Sequence, residues 1–194
     1  MKNYILLILS VFGSLSACKN HEQKKTTEPK QEKKDFFPVA DYLNSEIGYV
    51  DSLPLKMVKY ITINKKTDSM FIKLSEFDSL AREFLPVELN DSAFQQDFDE
   101  SSFFDQTTNS LTFTYSTKNE KSRLKRVDVL ANRTSGFDKV RSVYMEKDMV
   151  QNDTPVLKKM YWRSKKSFEI ITIVRSANQP QVTNHLKVVW DNSE

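Results

Sequence analysis

Glycine is scarce here: the 194 residues include three, and one of these, Gly13, falls within the apolar N-terminal segment. Gly48 and Gly136 alone cannot make a phosphate-cradling P-loop or a dinucleotide fingerprint, because both need closely spaced glycines where backbone amides approach a phosphate. No Gly-x-Ser-x-Gly elbow occurs. Cysteine occurs once, at Cys18, which excludes an intrachain disulfide and a thiolate metal cluster. Histidine occurs only at His21 and His185, so triad hydrolysis would rest on His185, and no His or Cys pair stands at zinc-ligand spacing. The acidic run Asp97, Asp99, Glu100 and Asp105 fails the calcium-loop pattern, with Ser102 where that loop needs glycine and Thr108 where it needs glutamate. Spacing leaves open one catalytic arrangement, a pair of carboxylates converging across a cleft.

A long apolar run is missing too. The N-terminal one ends at Ala17, and its fourteen residues fall short of a hydrocarbon core about 30 Å thick. Lys2 gives a positive start, Tyr4 to Phe12 is almost wholly apolar, and Leu15-Ser16-Ala17-Cys18 sets small residues directly before the cysteine. This arrangement matches the bacterial lipobox. The resemblance implies that residues 1–17 are a signal peptide removed on export. Cys18 then becomes the mature N-terminus and the site of lipid attachment, carrying a diacylglyceryl thioether and an amine-linked acyl chain. Each buried methylene contributes about 0.8 kcal/mol, so several chains hold a protein to one leaflet far more firmly than one. An acylated Cys18 leaves no thiol for cross-linking, and the fold has to stand on its core.

Residues 18–35 continue as a lipidated cysteine and tether. Lys, Glu, Gln and Thr dominate it, and such a composition cannot bury enough surface to offset the entropy of ordering. As a flexible coil it reaches roughly 20 to 25 Å, enough to lift a domain clear of lipid headgroups. By analogy with enteric lipoproteins, Lys19 and Asn20 stand where inner-membrane retention calls for aspartate, and the acidic cluster that marks surface export in Bacteroidota lipoproteins does not follow the cysteine. The location this resemblance implies is the outer membrane, facing the periplasm, of a bacterial envelope.

Residues 36–194 are expected to form a single globular domain, a length that buries most of its surface in one core. The region has 22 basic and 22 acidic groups, so the sequence pI near 8.8 reports the tether and gives no ground for nucleic-acid binding. Within it the charge is uneven. Residues 36–116 carry 6 basic and 13 acidic groups and residues 117–194 carry 16 and 9, which sets up mutual attraction between the halves or a docking face.

Val39, Leu43, Ile47 and Val50 recur at helical spacing after Pro38 and predict a helix over 39–51. Met57 to Ile63 reads as a strand, 64–68 as a turn, and Ser69 to Leu74 as its hairpin partner. Phe77, Leu80, Ala81 and Phe84 mark a second helix capped by Ser75 and stopped by Pro86. Between Val87 and Gln106 aromatic residues are interrupted by acids, and an irregular or short-helical connection is expected. Six strands follow, over 111–117, 124–131, 139–147, 156–162, 167–175 and 183–190. Phe168, Ile170, Ile171, Ile173 and Val174 load both faces of one of them, which predicts an interior strand. Short connections favour antiparallel neighbours. The expected class is α+β: a curved antiparallel meander of six or more strands with two N-terminal amphipathic helices packed on one face, or alternatively a partly closed β-barrel.

Asp51-Ser52-Leu53, Asp68-Ser69-Met70, Asp78-Ser79-Leu80 and Asp91-Ser92-Ala93 resemble the Asp-Ser/Thr-apolar acceptor of Bacteroidota O-glycosylation, which makes Ser52, Ser69, Ser79 and Ser92 candidate acceptors. Asp and Ser also favour turns and caps. With the lipobox and the Lys/Glu tether, the segments EFDSLAREFL and FFDQTTNSLTFTY resemble uncharacterised small lipoproteins of Bacteroidota. That resemblance implies location and class and brings no activity. The expectation is a non-catalytic, membrane-anchored protein-binding module with no cofactor, no metal, no nucleotide and no nucleic acid. A lipid or hydrophobic-ligand binding module is the alternative, motivated by 11% aromatic residues and a curved sheet.

Overall fold

The computed structural model describes residues 36–54, 56–132, 139–175 and 180–191, which fall within one compact unit, Lys34–Glu194. Cys18, the signal segment, the tether and His21 lie outside the described residues. Helix α1 (Val39–Asp51) leads to a hairpin of β1 (Met57–Ile63) and β2 (Lys66–Ile72). Helix α2 (Leu74–Ala81), two 3-10 turns at Arg82–Phe84 and Val87–Leu89, and α3 (Asp91–Asp97) follow. Then come β3 (Phe98–Asp105), β4 (Ser110–Thr117), β5 (Leu124–Asn132), β6 (Val140–Gln151), β7 (Thr154–Arg163), β8 (Ser167–Val174) and β9 (Val182–Val189).

All nine strands share one antiparallel sheet, in the order β2-β1-β9-β8-β7-β6-β5-β4-β3. From β3 to β9 each strand pairs with the next, as short connections require. The exception is β9, which turns to β1. Strands β2 and β3 are free edges, so the sheet is open, and the barrel alternative is overturned. The double-faced strand β8 is interior, as its apolar load requires.

Three local expectations need correction. The hairpin partner of β1 starts at Lys66, because Asn64 and Lys65, at φ 49° and 68°, make a two-residue turn and release Lys66 to pair with Ile63. Helix α2 begins one residue before Ser75, and its cap is the extended backbone of Lys73. The stretch expected to be irregular ends in a full strand, β3. Glycine is scarce enough that Asn109, Asn152, Asp153 and Lys165 also take positive φ at hairpins, a conformation that Asn and Asp tolerate better than other L residues.

Register puts Tyr115, Val127, Met145, Met160, Val143, Trp162, Phe168 and Val188 on one face, and all are buried. Phe77 of α2 and Phe84 of the following turn bring their rings to Trp162 and Phe168, which stack at 5.4 Å. Trp190 closes the group against Phe77 at 5.4 Å. Nearer the β3 edge, Phe36, Phe94, Phe98 and Tyr115 form a second aromatic cluster, and the Phe37 amide donates to the Tyr115 hydroxyl at 3.0 Å.

Two buried charges tie helical segments to this face. The Glu46 carboxylate accepts from the Trp162 indole N–H at 3.1 Å, the Ser164 hydroxyl at 3.0 Å and the Lys165 amide at 2.7 Å, joining α1 to the β7–β8 turn. The Lys147 ammonium donates to the Glu83 carbonyl, while Lys158 pairs with the Glu83 carboxylate. Burial pushes Lys147 below the ordinary lysine range; the Lys158 charge adds to this, and Glu83 and Glu88 oppose it.

The unfolded chain therefore binds the Lys147 proton more tightly than the fold does. This penalises the fold at neutral pH and is relieved as pH rises toward the ordinary lysine value. Lys147→Met should accordingly melt at or above the parent's temperature at pH 7 and show a flatter pH dependence over the alkaline range that leads up to the ordinary lysine value. Thermal melts across that range check it, and a loss of stability at pH 7 would refute it.

Candidate functional site

The second face of the sheet carries the opposite parity of residues. Strand pairing sets Tyr60, Lys187, Glu169, Tyr161, Tyr144 and Asp128 side by side across β1, β9, β8, β7, β6 and β5. The neighbouring row runs Thr62, His185, Ile171, Lys159, Glu146 and Arg126 over the same strands. Cations and carboxylates thus alternate around three tyrosines.

Local bonds fix these groups. Arg126 Nε donates to both Asp128 carboxylate oxygens at 2.8 and 3.0 Å, and the Tyr144 hydroxyl donates to Glu146 at 2.9 Å. Burial first, then Glu146, push Tyr144 up to about 12. Lys187 reaches Glu169 Oε1 at 2.9 Å while His185 Nε2 stands 3.1 Å from Oε2. Burial alone would raise Glu169, but hydrogen bonds and charge from Lys187 and His185 outweigh it and hold the carboxyl below its usual range. His185 thus serves an ion cluster, with Thr62 and Ile171 as its cross-strand neighbours.

The acidic run is spread out. Asp97 ends α3, and Asp99 and Asp105 lie on one face of β3 with Glu100 on the other, as strand alternation requires. Asp105 accepts from the Thr107 amide and the Thr108 hydroxyl, both at 2.8 Å, and these bonds hold it below the usual carboxylate range. Where α1 and α2 meet, burial and the Asp78 charge hold Asp51 above that range, a carboxylate pairing that spacing did not reveal. Among the described residues no group of three or more His, Cys, Asp and Glu could hold a metal ion, and no helix is long and apolar enough to cross a membrane.

Ser52, Ser69, Ser79 and Ser92 are all exposed. Two have local partners: Ser52 donates to the Tyr49 carbonyl at 2.8 Å and Ser79 to the Ser75 carbonyl at 2.9 Å. Ser69 lies in the edge strand β2 and Ser92 in α3.

On the buried face the described residues leave a groove of about 210 Å³ beside Ile61, Ile170 and Leu186, bordered by the Glu83–Lys158 pair. An open hollow of about 500 Å³ adjoins it at the β1–β2 tip, where Ile61 and Ile63 stand among Asn64, Lys66 and Asp68. Motif searching missed the tyrosine rows because no motif encodes them. The available signal was parity: Ser142, Tyr144, Glu146 and Asp148 on β6, and Lys159, Tyr161 and Arg163 on β7, fall at every second position. Comparison of the chain with protein-family models, curated proteins and solved structures gives no match.

Proposed function

We propose that the chain is a lipid-anchored envelope protein of the outer membrane, and that its folded domain is a non-catalytic module that docks another envelope protein. On this reading the helical segments act as a lid over the aromatic face, and the opposite face meets the partner. The observation that carries it is that face itself. Tyr144 and Tyr161 stand on adjacent strands and Tyr60 on β1, with β8 and β9 between it and Tyr161, and tyrosine is a favoured interface anchor, with the charges between and around them supplying a polar rim. The alternating charges select a partner of complementary pattern and reject others.

The hydrophobic-ligand alternative draws little support from the other face. Phe77, Phe84, Trp162, Phe168 and Trp190 fill its centre, and what is left near Ile61 is small or open and bordered by the charged Lys66, Asp68, Glu83 and Lys158.

A photo-crosslinking side chain placed at Tyr161, in intact cells fed labelled palmitate, tests this reading. The expected product is one defined adduct carrying the label, absent when the crosslinker is placed at the exposed Val87 of the helical side. Equal adducts from both positions, or none from Tyr161, would overturn the docking face. Failure of the label to enter the chain would overturn the anchor.

A further inference from the structure

The β5–β6 register slips by one residue at one end of the open face: Ala131 pairs with Val140 and Leu130 with Ser142, which leaves Arg141 as an extra residue on β6. A bulge of this kind re-aims the extra side chain. The Ser164 amide bonds the Arg141 carbonyl at 3.1 Å, fixing the bulge against the β7–β8 turn, and Arg163 faces Ser142 across β6 and β7. The result is a hollow of about 340 Å³ beside Leu130, lined further by Arg141, Ser142, Tyr161, Arg163, Ser164 and Lys166, and among the described residues no carboxylate lines it.

Two details sharpen its chemistry. Lys165, between the lining residues, places its ammonium 5.5 Å from the Tyr49 ring, while its amide serves Glu46. Arg141 and Arg163 take part in no ion pair among the described residues. Guanidinium forks match the paired oxygens of a phosphoryl group, and two forks with neighbouring hydroxyls suit a tetrahedral anion better than a single planar carboxylate.

We propose that this hollow binds a phosphoryl group, through Arg141 and Arg163 with the Ser142 and Tyr161 hydroxyls as further donors. Two sources share that chemistry, a soluble phosphate ester and a lipid headgroup. The site stands apart from the docking reading, since phosphate binding by the purified chain needs no partner protein.

The test uses the full chain carrying Cys18→Ser, so that no acyl chain contributes, in non-ionic detergent at constant ionic strength. One arm titrates inorganic phosphate by calorimetry. The other measures flotation with phosphatidylcholine vesicles with and without phosphatidic acid, after detergent removal. Binding in either arm that falls about tenfold or more in Arg141→Gln/Arg163→Gln supports the site, and the responding arm identifies the source. Arg163→Lys, which keeps the charge and loses the fork, should fall in between and guards against a double variant that fails to fold. Lys118→Gln, at an exposed lysine of the β4–β5 turn away from the hollow, should bind like the parent. No binding in either arm, binding unchanged in the double variant, or an equal loss in Lys118→Gln would overturn it.

Discussion

Replacing Phe77 by alanine is expected to lower the unfolding free energy by about 3–5 kcal/mol, a large part of the roughly 5–15 kcal/mol that holds a typical domain folded. Phe77 is fully buried, and its ring centroid lies 5.4 Å from Trp190, 5.8 Å from Phe168 and 6.4 Å from Trp162. Truncation removes the apolar area and leaves a cavity whose walls belong to several elements. Helix α2 supplies the ring, whereas Trp162 and Phe168 sit on paired interior strands held by their own ladder bonds. The walls therefore cannot readily collapse inward, which puts the cost at the upper end of the range. Denaturant unfolding should show a lower midpoint with an unchanged slope. Val87→Ala, at a highly exposed side chain, should stay within about 0.5 kcal/mol of the parent. A Phe77→Ala midpoint equal to that of Val87→Ala would refute the assignment of the core to this cluster.

Glu46→Gln is expected to cost about 2–4 kcal/mol although it preserves shape. Every partner of the carboxylate is a donor: the Trp162 indole, the Ser164 hydroxyl and the Lys165 amide. A glutamine offers one neutral acceptor oxygen, so the charge-assisted bonds from Trp162 and Lys165 weaken and the Ser164 hydroxyl has to turn from donating to accepting from the amide N–H₂. The Lys165 amide belongs to a residue at φ 57°, a left-handed conformation that a lysine adopts only when its surroundings enforce it. Amide exchange at Lys165 and the chemical shift of the Trp162 indole proton should therefore both respond. If stability, exchange and shift all stay at the parent's values, α1 is not anchored through this carboxylate.

Much of the architecture could be read from periodicity, and the exceptions have specific causes. Helix α1 and strand β1 fall where spacing put them because Val39, Leu43, Ile47 and Val50 form one stripe and Met57–Ile63 is rich in β-branched residues. Strand β3 was hidden because Phe103 and Phe104 are adjacent and stand among acids and serines, so strict alternation is lost on an edge strand that is mostly exposed. Glu46 could not be recognised as a core residue, since a carboxylate is buried only where tertiary donors gather, and those donors lie 116 to 119 residues away. The hollow at Arg141 depends on a one-residue slip that no residue type announces. His185, prominent because histidine is rare, belongs to an ion cluster with Glu169 and Lys187.

The pairing of β1 with β9 has a consequence for the order of assembly. Seven strands can zip up neighbour by neighbour as the chain emerges, but the hairpin of β1 and β2, made first, has no place to join until β9 arrives almost at the end. Loop closure over so long a separation is slow, and meanwhile the early hairpin leaves a strand edge bare that must not pair with another molecule. On the proposed export, a chain stalled in translocation shortly before residue 182 would hold its first hairpin adrift, and an envelope chaperone that shields bare strand edges would matter most at that moment.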